Sequence, residues 1–142
     1  MPHAPMPTPA ELNERAVGTL VAELDMEVLS VEENRVEMRM PVTHRHLAPN
    51  HYLHGGSVVS LADTTCGMAA FAHLPDGAKS FATMELKTNF LGTATIGELR
   101  CIATPKHLGR TTQVWDAEVI HDDTGKTIAT FRCTQMILWP KT

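Results

Sequence analysis

Apolar and polar residues along this chain follow two periods, one typical of helices and one typical of strands. The letters TPAE at Thr8 form a capping box with proline in the first helical position, so a helix begins here. Apolar residues then recur at helical spacing, and we expect one amphipathic helix that ends near Asp25. Its apolar positions are Leu12, Ala16, Val17, Leu20 and Val21.

Apolar and polar residues alternate strictly in the segments that we predict to be strands. MEVLSV and RVEMRMPV, separated by EEN, predict a hairpin with one buried face, formed by Val36, Met38, Met40 and Val42. Four further strands are predicted near the C-terminal end, in KSFATMELKTNF, GELRCIATPKH, RTTQVWDAEVIH and KTIATFRCTQMILW. HDDTGK between the last two predicts a tight turn, with Gly125 available for a positive φ.

Between the hairpin and these four strands lies a long apolar helix. The segment from Ser57 to Leu74 has eleven apolar residues among eighteen, and they surround the helix, which predicts a buried helix wrapped by the sheet. The order of elements predicts an α+β fold with an antiparallel sheet. We expect residues 1–7 to be a flexible lead-in and residues 8–142 to form a single domain.

Composition narrows the functional classes. The chain has 142 residues, 16 acidic and 12 basic, and its basic residues are scattered, which argues against nucleic acid as a partner. No segment has the length and hydrophobicity of a membrane span, and MPHAPMPTPAE lacks the regions of a signal peptide. Cys66, Cys101 and Cys133 lie in apolar patterns without CxxC spacing. We therefore expect a cytoplasmic protein with reduced core cysteines.

Asp63 is the one carboxylate in the long apolar helix. An ionised carboxylate in such surroundings costs several kcal/mol unless it is paired or solvated, so it calls for an explanation. One explanation is structural, with hydrogen bonds from Ser60 or Thr64 or exposure to solvent. The other is that Asp63 serves a functional site.

His54, Gly55 and Gly56 precede the helix and leave backbone N–H groups bare at the positive end of its dipole. Such an N–H group can polarise a carbonyl oxygen as an oxyanion hole does, although two glycines also suit a merely flexible start of a helix. The eight residues from Gly55 to Asp63 span about 12 Å of helix, too far for both groups to reach one carbonyl. A two-fold dimer with antiparallel helices would bring Gly55 of one subunit beside Asp63 of the other.

The blocks HGGSVVSLAD, TMELKTNFLG and HLGRTTQVW, in this order, resemble the hotdog-fold acyl-CoA thioesterases of the phenylacetate-degradation and 4-hydroxybenzoyl-CoA type. The resemblance runs from the first helix to Trp139. It implies a curved antiparallel sheet around one long helix, homodimers that often pair into tetramers, an acyl-CoA substrate and no cofactor. It also implies that Asp63 attacks the thioester or activates a water, that the Gly55 amide polarises the carbonyl, and that His54 orients the site.

The same resemblance implies a groove for the acyl group and the CoA arms, with Arg110 as the candidate for a phosphate contact. The groove residues are Gly56, Thr64, Thr83, Asn89, Phe90, Leu91, Gly92, Thr93, His107, Leu108, Gly109, Arg110, Thr111 and Thr112.

The chain departs from the family in two places. Relatives carry Asn or Gln six residues before the histidine, where this chain has Ala48, so either Asn50 takes over that role or the role is lost. Some relatives carry Ser or Thr four residues after the carboxylate, where this chain has Gly67. A hydroxyl partner for Asp63 therefore has to come from elsewhere, with Thr64 as one candidate.

Other functions compete with thioester hydrolysis. A metal site would draw on His44, His46, His51, His54 and Asp63, but their spacing matches no distinctive ligand set. Cys66 is a weak nucleophile in an apolar helix. Hydration or dehydration of acyl thioesters, and acyl-CoA binding or sensing without turnover, are the remaining alternatives. Candidates for an apolar acyl pocket are Met68, Phe71, Phe81, Met84 and Phe90, which leave aromatic and medium-chain acyl groups open.

Overall fold

The computed structural model describes residues 2–142 and has one six-stranded antiparallel sheet curved around a long helix. The strand order is β1-β2-β4-β5-β6-β3, so β1 and β3 are the sheet edges. The predicted α+β fold is confirmed. The helices are α1 (Pro9–Arg15), α2 (Leu20–Glu23) and α3 (Gly55–Ala72), and the strands are β1 (Glu27–Glu32), β2 (Arg35–Pro41), β3 (Ser80–Phe90), β4 (Glu98–Leu108), β5 (Thr112–His121) and β6 (Thr127–Leu138).

The predicted N-terminal helix is in fact two helices. The capping box is present, with Glu11 N–H donating to Thr8 and the Glu11 carboxylate accepting from the Thr8 N–H. The chain then turns at Gly18, whose φ of +77° a helix does not tolerate. Val17 and Leu20, which we expected on the buried face, are consequently 74% and 62% exposed.

The strand predictions are confirmed, and so is the buried face of the hairpin. Val36, Met38 and Met40 are fully buried, and Val42 nearly so. Gly125 has the expected positive φ, 70°. All three cysteines are free and buried. The largest fully buried side chains of the core are Trp115, Leu12, Met38, Met40, Leu61 and Leu99.

The long helix α3 has two different faces. The sheet covers one of them, which carries Leu61, Ala62, Thr65, Cys66, Ala69 and Ala70. The other face, with Val59, Asp63 and Gly67, is only half-buried. Asp63 therefore shares its face with Gly67, while Cys66 and Ala70 are buried on the sheet side.

The N-terminal residues lie near the end of α3. Pro2 O accepts a hydrogen bond from Asp76 N, and His3 forms an isolated bridge with Pro75. Flexibility of residues 1–7 stays a prediction. Among residues 2–142, no helix has both the length and the apolar character needed to cross a bilayer.

Candidate active site

The N-terminus of α3 presents one unoccupied backbone donor. His54 is the N-cap, and its Nδ1 accepts the Gly56 N–H at 2.7 Å, so that donor is used. The Gly55 N–H, in contrast, has no acceptor within residues 2–142. A Cβ at Gly55 would lie 3.1 Å from the Phe90 ring, so glycine allows β3 to approach this point closely. The predicted oxyanion donor is therefore free and lies beside the C-terminal end of β3.

Asp63 lies two turns further along α3. Its Oδ1 is buried and has no hydrogen-bond partner within the described chain, and no hydrogen bond joins it to Ser60 or Thr64. Burial raises the pKa of the Asp63 carboxyl above the ordinary value of 3.8, because the charged form is deprived of water. The structural explanation by local hydrogen bonds thus does not account for this residue.

Asp63 opens into a cavity of about 400 Å³. Helix α3 contributes Asp63, Thr64, Gly67, Met68 and Phe71, and strand β3 contributes Phe81 and Thr83. The opposite wall consists of Leu12, Arg15, Ala16, Thr19 and Val21, from α1, α2 and the turn between them. The cavity is thus mainly apolar with a carboxyl at its edge, as small-molecule sites are.

The sequence pattern does not predict that α1, α2 and the turn between them form one wall of the cavity. Amphipathic spacing predicts that this segment packs on something, but not that it packs over Asp63. Of the five apolar pocket candidates, Met68, Phe71 and Phe81 line the cavity. Met84 is 55% exposed, and Phe90 lies at the distant Gly55 end of α3.

Two stretches of the predicted groove, residues 89–93 and 107–112, lie at opposite ends of the sheet. Thr112 is aligned with Met136 of β6, and Phe90 with Ala129 of the same strand. These seven residues of β6 correspond to roughly 24 Å. Within one protomer, the 89–93 stretch and the 107–112 stretch therefore do not meet.

Each stretch has local contacts of its own. At the 107–112 turn, Gly109 N donates to Thr112 O at 2.9 Å, and the Arg110 guanidinium lies 4.3 Å from the centre of the Trp139 ring. After β3, the N–H groups of Leu91 and Gly92 both donate to Ile128 O. Asn89 lines a separate groove on the outer face of the sheet.

Asn50 is an exposed loop residue. Its Oδ1 accepts the Tyr52 N–H at 3.2 Å, which is a local turn contact. Whether it replaces the amide missing at Ala48 stays a prediction.

The structure supports neither a metal site nor Cys66 as a nucleophile among the residues that it describes. Within residues 2–142, no three His, Cys, Asp or Glu side chains are grouped to hold a metal ion. His46 is buried, and its ring contacts Thr43 and Leu24. A hydrogen bond with Cys133 and burial raise the pKa of the Cys66 thiol well above its ordinary value, which makes Cys66 a poor nucleophile.

Comparison with known proteins agrees with this fold. Residues 50–129 match the Thioesterase superfamily. The chain is 34% identical over 127 residues to the proofreading thioesterase EntH of Cronobacter turicensis, covering 89% of this chain and 91% of that protein. It is 32% identical over 127 residues to the 1,4-dihydroxy-2-naphthoyl-CoA hydrolase of Escherichia coli, covering 89% and 92%. The crystal structure of thioesterase HI1161 from Haemophilus influenzae superimposes with a TM-score of 0.87 at 30% identity, covering 92% and 90%.

The architecture is thus that of a hotdog-fold hydrolase. The chain belongs to the thioesterase superfamily, and its reaction is thioester hydrolysis.

Proposed function

We propose that this protein is an acyl-CoA thioesterase that releases CoA and a free acid from a small aromatic or medium-chain acyl-CoA. The observation that carries this proposal is the buried, unpartnered Oδ1 of Asp63 at the edge of an apolar cavity of about 400 Å³. An engineered cavity of about 150 Å³ holds one benzene ring, so this cavity has room for a ring with substituents or a medium acyl chain. The E. coli hydrolase, whose name specifies an aromatic acyl-CoA, fits the aromatic alternative.

The proposed chemistry uses Asp63 and the Gly55 amide. As general base, Asp63 takes a proton from water while the water oxygen bonds to the thioester carbonyl carbon. The Gly55 N–H stabilises the oxyanion, the C–S bond breaks, and the thiolate takes the proton back from Asp63. As nucleophile, Asp63 would instead bond to that carbon, release the thiolate, and form an anhydride that water then cleaves.

We propose that the two groups come from different protomers of a homodimer. Strand β3 is a sheet edge with exposed Met84, Leu86 and Phe90, at 55%, 40% and 54%. An exposed edge of this kind can pair with a second copy of the chain. Gly55 contacts Phe90 near the end of β3, whereas Asp63 shares a cavity with Thr83 near its start.

If two β3 strands pair antiparallel around a two-fold axis near Leu86, the end of one strand meets the start of the other. This arrangement would set the Gly55 amide beside the second subunit's carboxylate and join the separate groove stretches. A dimer of dimers is compatible with it. A cytoplasmic location fits the three free cysteines, since reducing compartments keep thiols free.

The test of the function is a panel of acyl-CoA esters that spans benzoyl, hydroxybenzoyl, phenylacetyl and straight-chain acyl groups. Free thiol release is measured, and binding is measured separately by calorimetry. We expect catalytic release for at least one aromatic or medium-chain ester. Binding without release would support an acyl-CoA sensor instead, and product hydrated at a double bond, seen with an enoyl-CoA, would support a hydratase.

The pH dependence of activity follows from the raised pKa of Asp63. Either role requires the carboxylate form, so kcat/KM should fall as the pH is lowered through this pKa. The acidic limb should have its midpoint above 3.8, the ordinary aspartate value. Rates measured between about pH 4 and about pH 8, with thermal unfolding followed at each pH as the control, check this expectation. A midpoint at or below the ordinary value would contradict it.

A further inference from the structure

The wall of the cavity opposite α3 carries an arginine. Arg15 is the last residue of α1 and lines the cavity, and its guanidinium lies 4.1 Å from the centre of the Phe71 ring. The five N–H donors of a guanidinium lie in its own plane, so stacking on a ring uses none of them. The Phe71 ring therefore holds the Arg15 head group in place and leaves its donors available.

Those donors have no partner in the part of the chain that the structure describes. Glu11, one turn earlier on α1, accepts the Thr8 N–H at 2.7 Å and forms no salt bridge with Arg15. Other arginines of the chain do pair with carboxylates, namely Arg35, Arg39, Arg45, Arg100 and Arg132. Arg15 thus differs from them in presenting an uncompensated positive charge to a cavity.

Hydroxyl groups on the cavity wall have given their hydrogens to other acceptors. The Thr19 hydroxyl donates to Ala16 O at 2.6 Å, and the Thr83 hydroxyl donates to Gln135 Oε1 at 2.8 Å. Much of the remaining lining is apolar, as at Leu12, Met68 and Phe81. A polar group on the acyl part of a substrate would therefore find its strongest donor at Arg15.

Arg15 and Asp63 lie at different places along the cavity. Phe71, on which Arg15 stacks, follows Asp63 by eight residues, or about 12 Å along α3. Burial is what raises the pKa of Asp63, and the Arg15 cation is not close enough to lower it. With the thioester carbon at Asp63, the far end of an acyl group that fills the cavity lies toward Arg15.

We propose that Arg15 binds a carboxylate at the far end of the acyl group, so that the preferred substrates are CoA monothioesters of dicarboxylic acids. This inference rests on the proposed function and narrows its substrate class. A carboxylate can accept two parallel hydrogen bonds from the guanidinium fork, whereas a hydroxyl offers a single oxygen. Arg15 is exposed, so the bound carboxylate keeps part of its water and avoids the cost of full burial.

The test uses esters that differ only in the far substituent. One series is 4-carboxybenzoyl-CoA, 4-hydroxybenzoyl-CoA and 4-methylbenzoyl-CoA, and the other is adipoyl-CoA and hexanoyl-CoA. In each series, the wild type should have a kcat/KM at least about 10-fold higher for the carboxylate ester than for the methyl-terminated one. The hydroxyl ester should lie between the two.

Arg15→Met should remove this preference. We expect kcat/KM to fall about 10- to 100-fold for the carboxylate esters and to change little for the methyl-terminated ones, because methionine keeps the apolar packing on Phe71 and loses the charge. Arg15→Glu should lower the carboxylate esters further by repulsion. Arg15→Lys should keep part of the preference, since lysine has the charge without the fork. It also provides the comparison if Arg15→Met does not fold.

Arg45→Met is the matched control, because it removes an arginine that pairs with Asp25 and does not line the cavity. Its ratio of kcat/KM between the esters should equal that of the wild type. Equal losses for all esters in Arg15→Met would indicate a structural role and overturn the inference, and so would a wild type that prefers the methyl or hydroxyl ester. Either result leaves thioester hydrolysis intact. A wild type that releases thiol from no ester would instead overturn the proposed function.

Discussion

Replacing Asp63 by asparagine is expected to lower kcat at least about 1,000-fold while the protein stays folded and oligomeric. Asparagine has nearly the same shape, but it can neither take a proton nor serve as a nucleophile at neutral pH. The measurement is thiol release under saturating acyl-CoA, with sedimentation velocity as the control for assembly. Turnover close to the wild-type rate would remove Asp63 from the mechanism.

The same variant should be more stable than the wild type at neutral pH. Burial raises the pKa of Asp63, so the folded state binds its proton more tightly than the unfolded state does. Stability is therefore lost as the pH rises from the ordinary value of 3.8 through the raised pKa, and it stays lost above it. Asparagine does not ionise, so the variant does not lose stability over this pH range. The difference in Tm should be present at pH 7 and vanish below the ordinary value.

This combination separates a functional carboxylate from a structural one. A structural aspartate with satisfied hydrogen bonds loses stability when it is replaced, because its partners are left unpaired. Asp63 Oδ1 has no partner to lose within the described chain. Loss of activity together with a gain in stability is the pattern expected where a site has been built at a cost to the fold.

Periodicity predicts most of this fold, and its one clear failure has a local cause. The alternation of Val36, Met38 and Met40 fixes the buried face of β2, because the side-chain period of a strand is two. The helical spacing from Leu12 onward continues through Gly18, but spacing does not register that this residue has a positive φ. Spacing alone therefore predicts one helix where there are two.

The site was predictable only where a single residue conflicts with its surroundings. Asp63 stands out because it is the one carboxylate on an apolar helix. The hydrogen bond between Thr83 and Gln135 joins residues 52 positions apart in the sequence, so no short sequence motif indicates it. The separation of the two groove stretches depends on the register of three paired strands, which the order of motifs along the chain does not contain.

A site shared between subunits can be tested with a variant that removes the Gly55 N–H. Gly55→Pro deletes the proposed oxyanion donor, and the backbone should accept it, since proline is favoured at the first position of a helix. His54, with φ −68° and ψ 130°, has the extended conformation that a residue before proline needs. Gly55→Ala is the steric control, because it adds a Cβ against Phe90 and keeps the N–H. Gly55→Pro alone should lose about 100- to 1,000-fold in kcat.

Asp63→Asn and Gly55→Pro should then rescue each other when co-expressed with different tags. In a mixed dimer, one site has both altered groups and is inactive, whereas the other has an intact Asp63 from one subunit and an intact Gly55 from the other. Random assembly makes half of the dimers mixed, so total activity should recover to about one quarter of the wild-type value. Each variant alone remains nearly inactive.

The control for this experiment combines variants of two residues that line the same cavity of one protomer. Asp63 and Thr83 line one cavity of one chain, so co-expression of Asp63→Asn with Thr83→Val should give no more activity than Thr83→Val alone. If activity recovers when Asp63→Asn is co-expressed with Gly55→Pro but not with Thr83→Val, then Asp63 and Thr83 come from one subunit and Gly55 from the other. If neither mixture recovers while mixed dimers are present, each site lies within one protomer, and another donor than the Gly55 amide must stabilise the oxyanion.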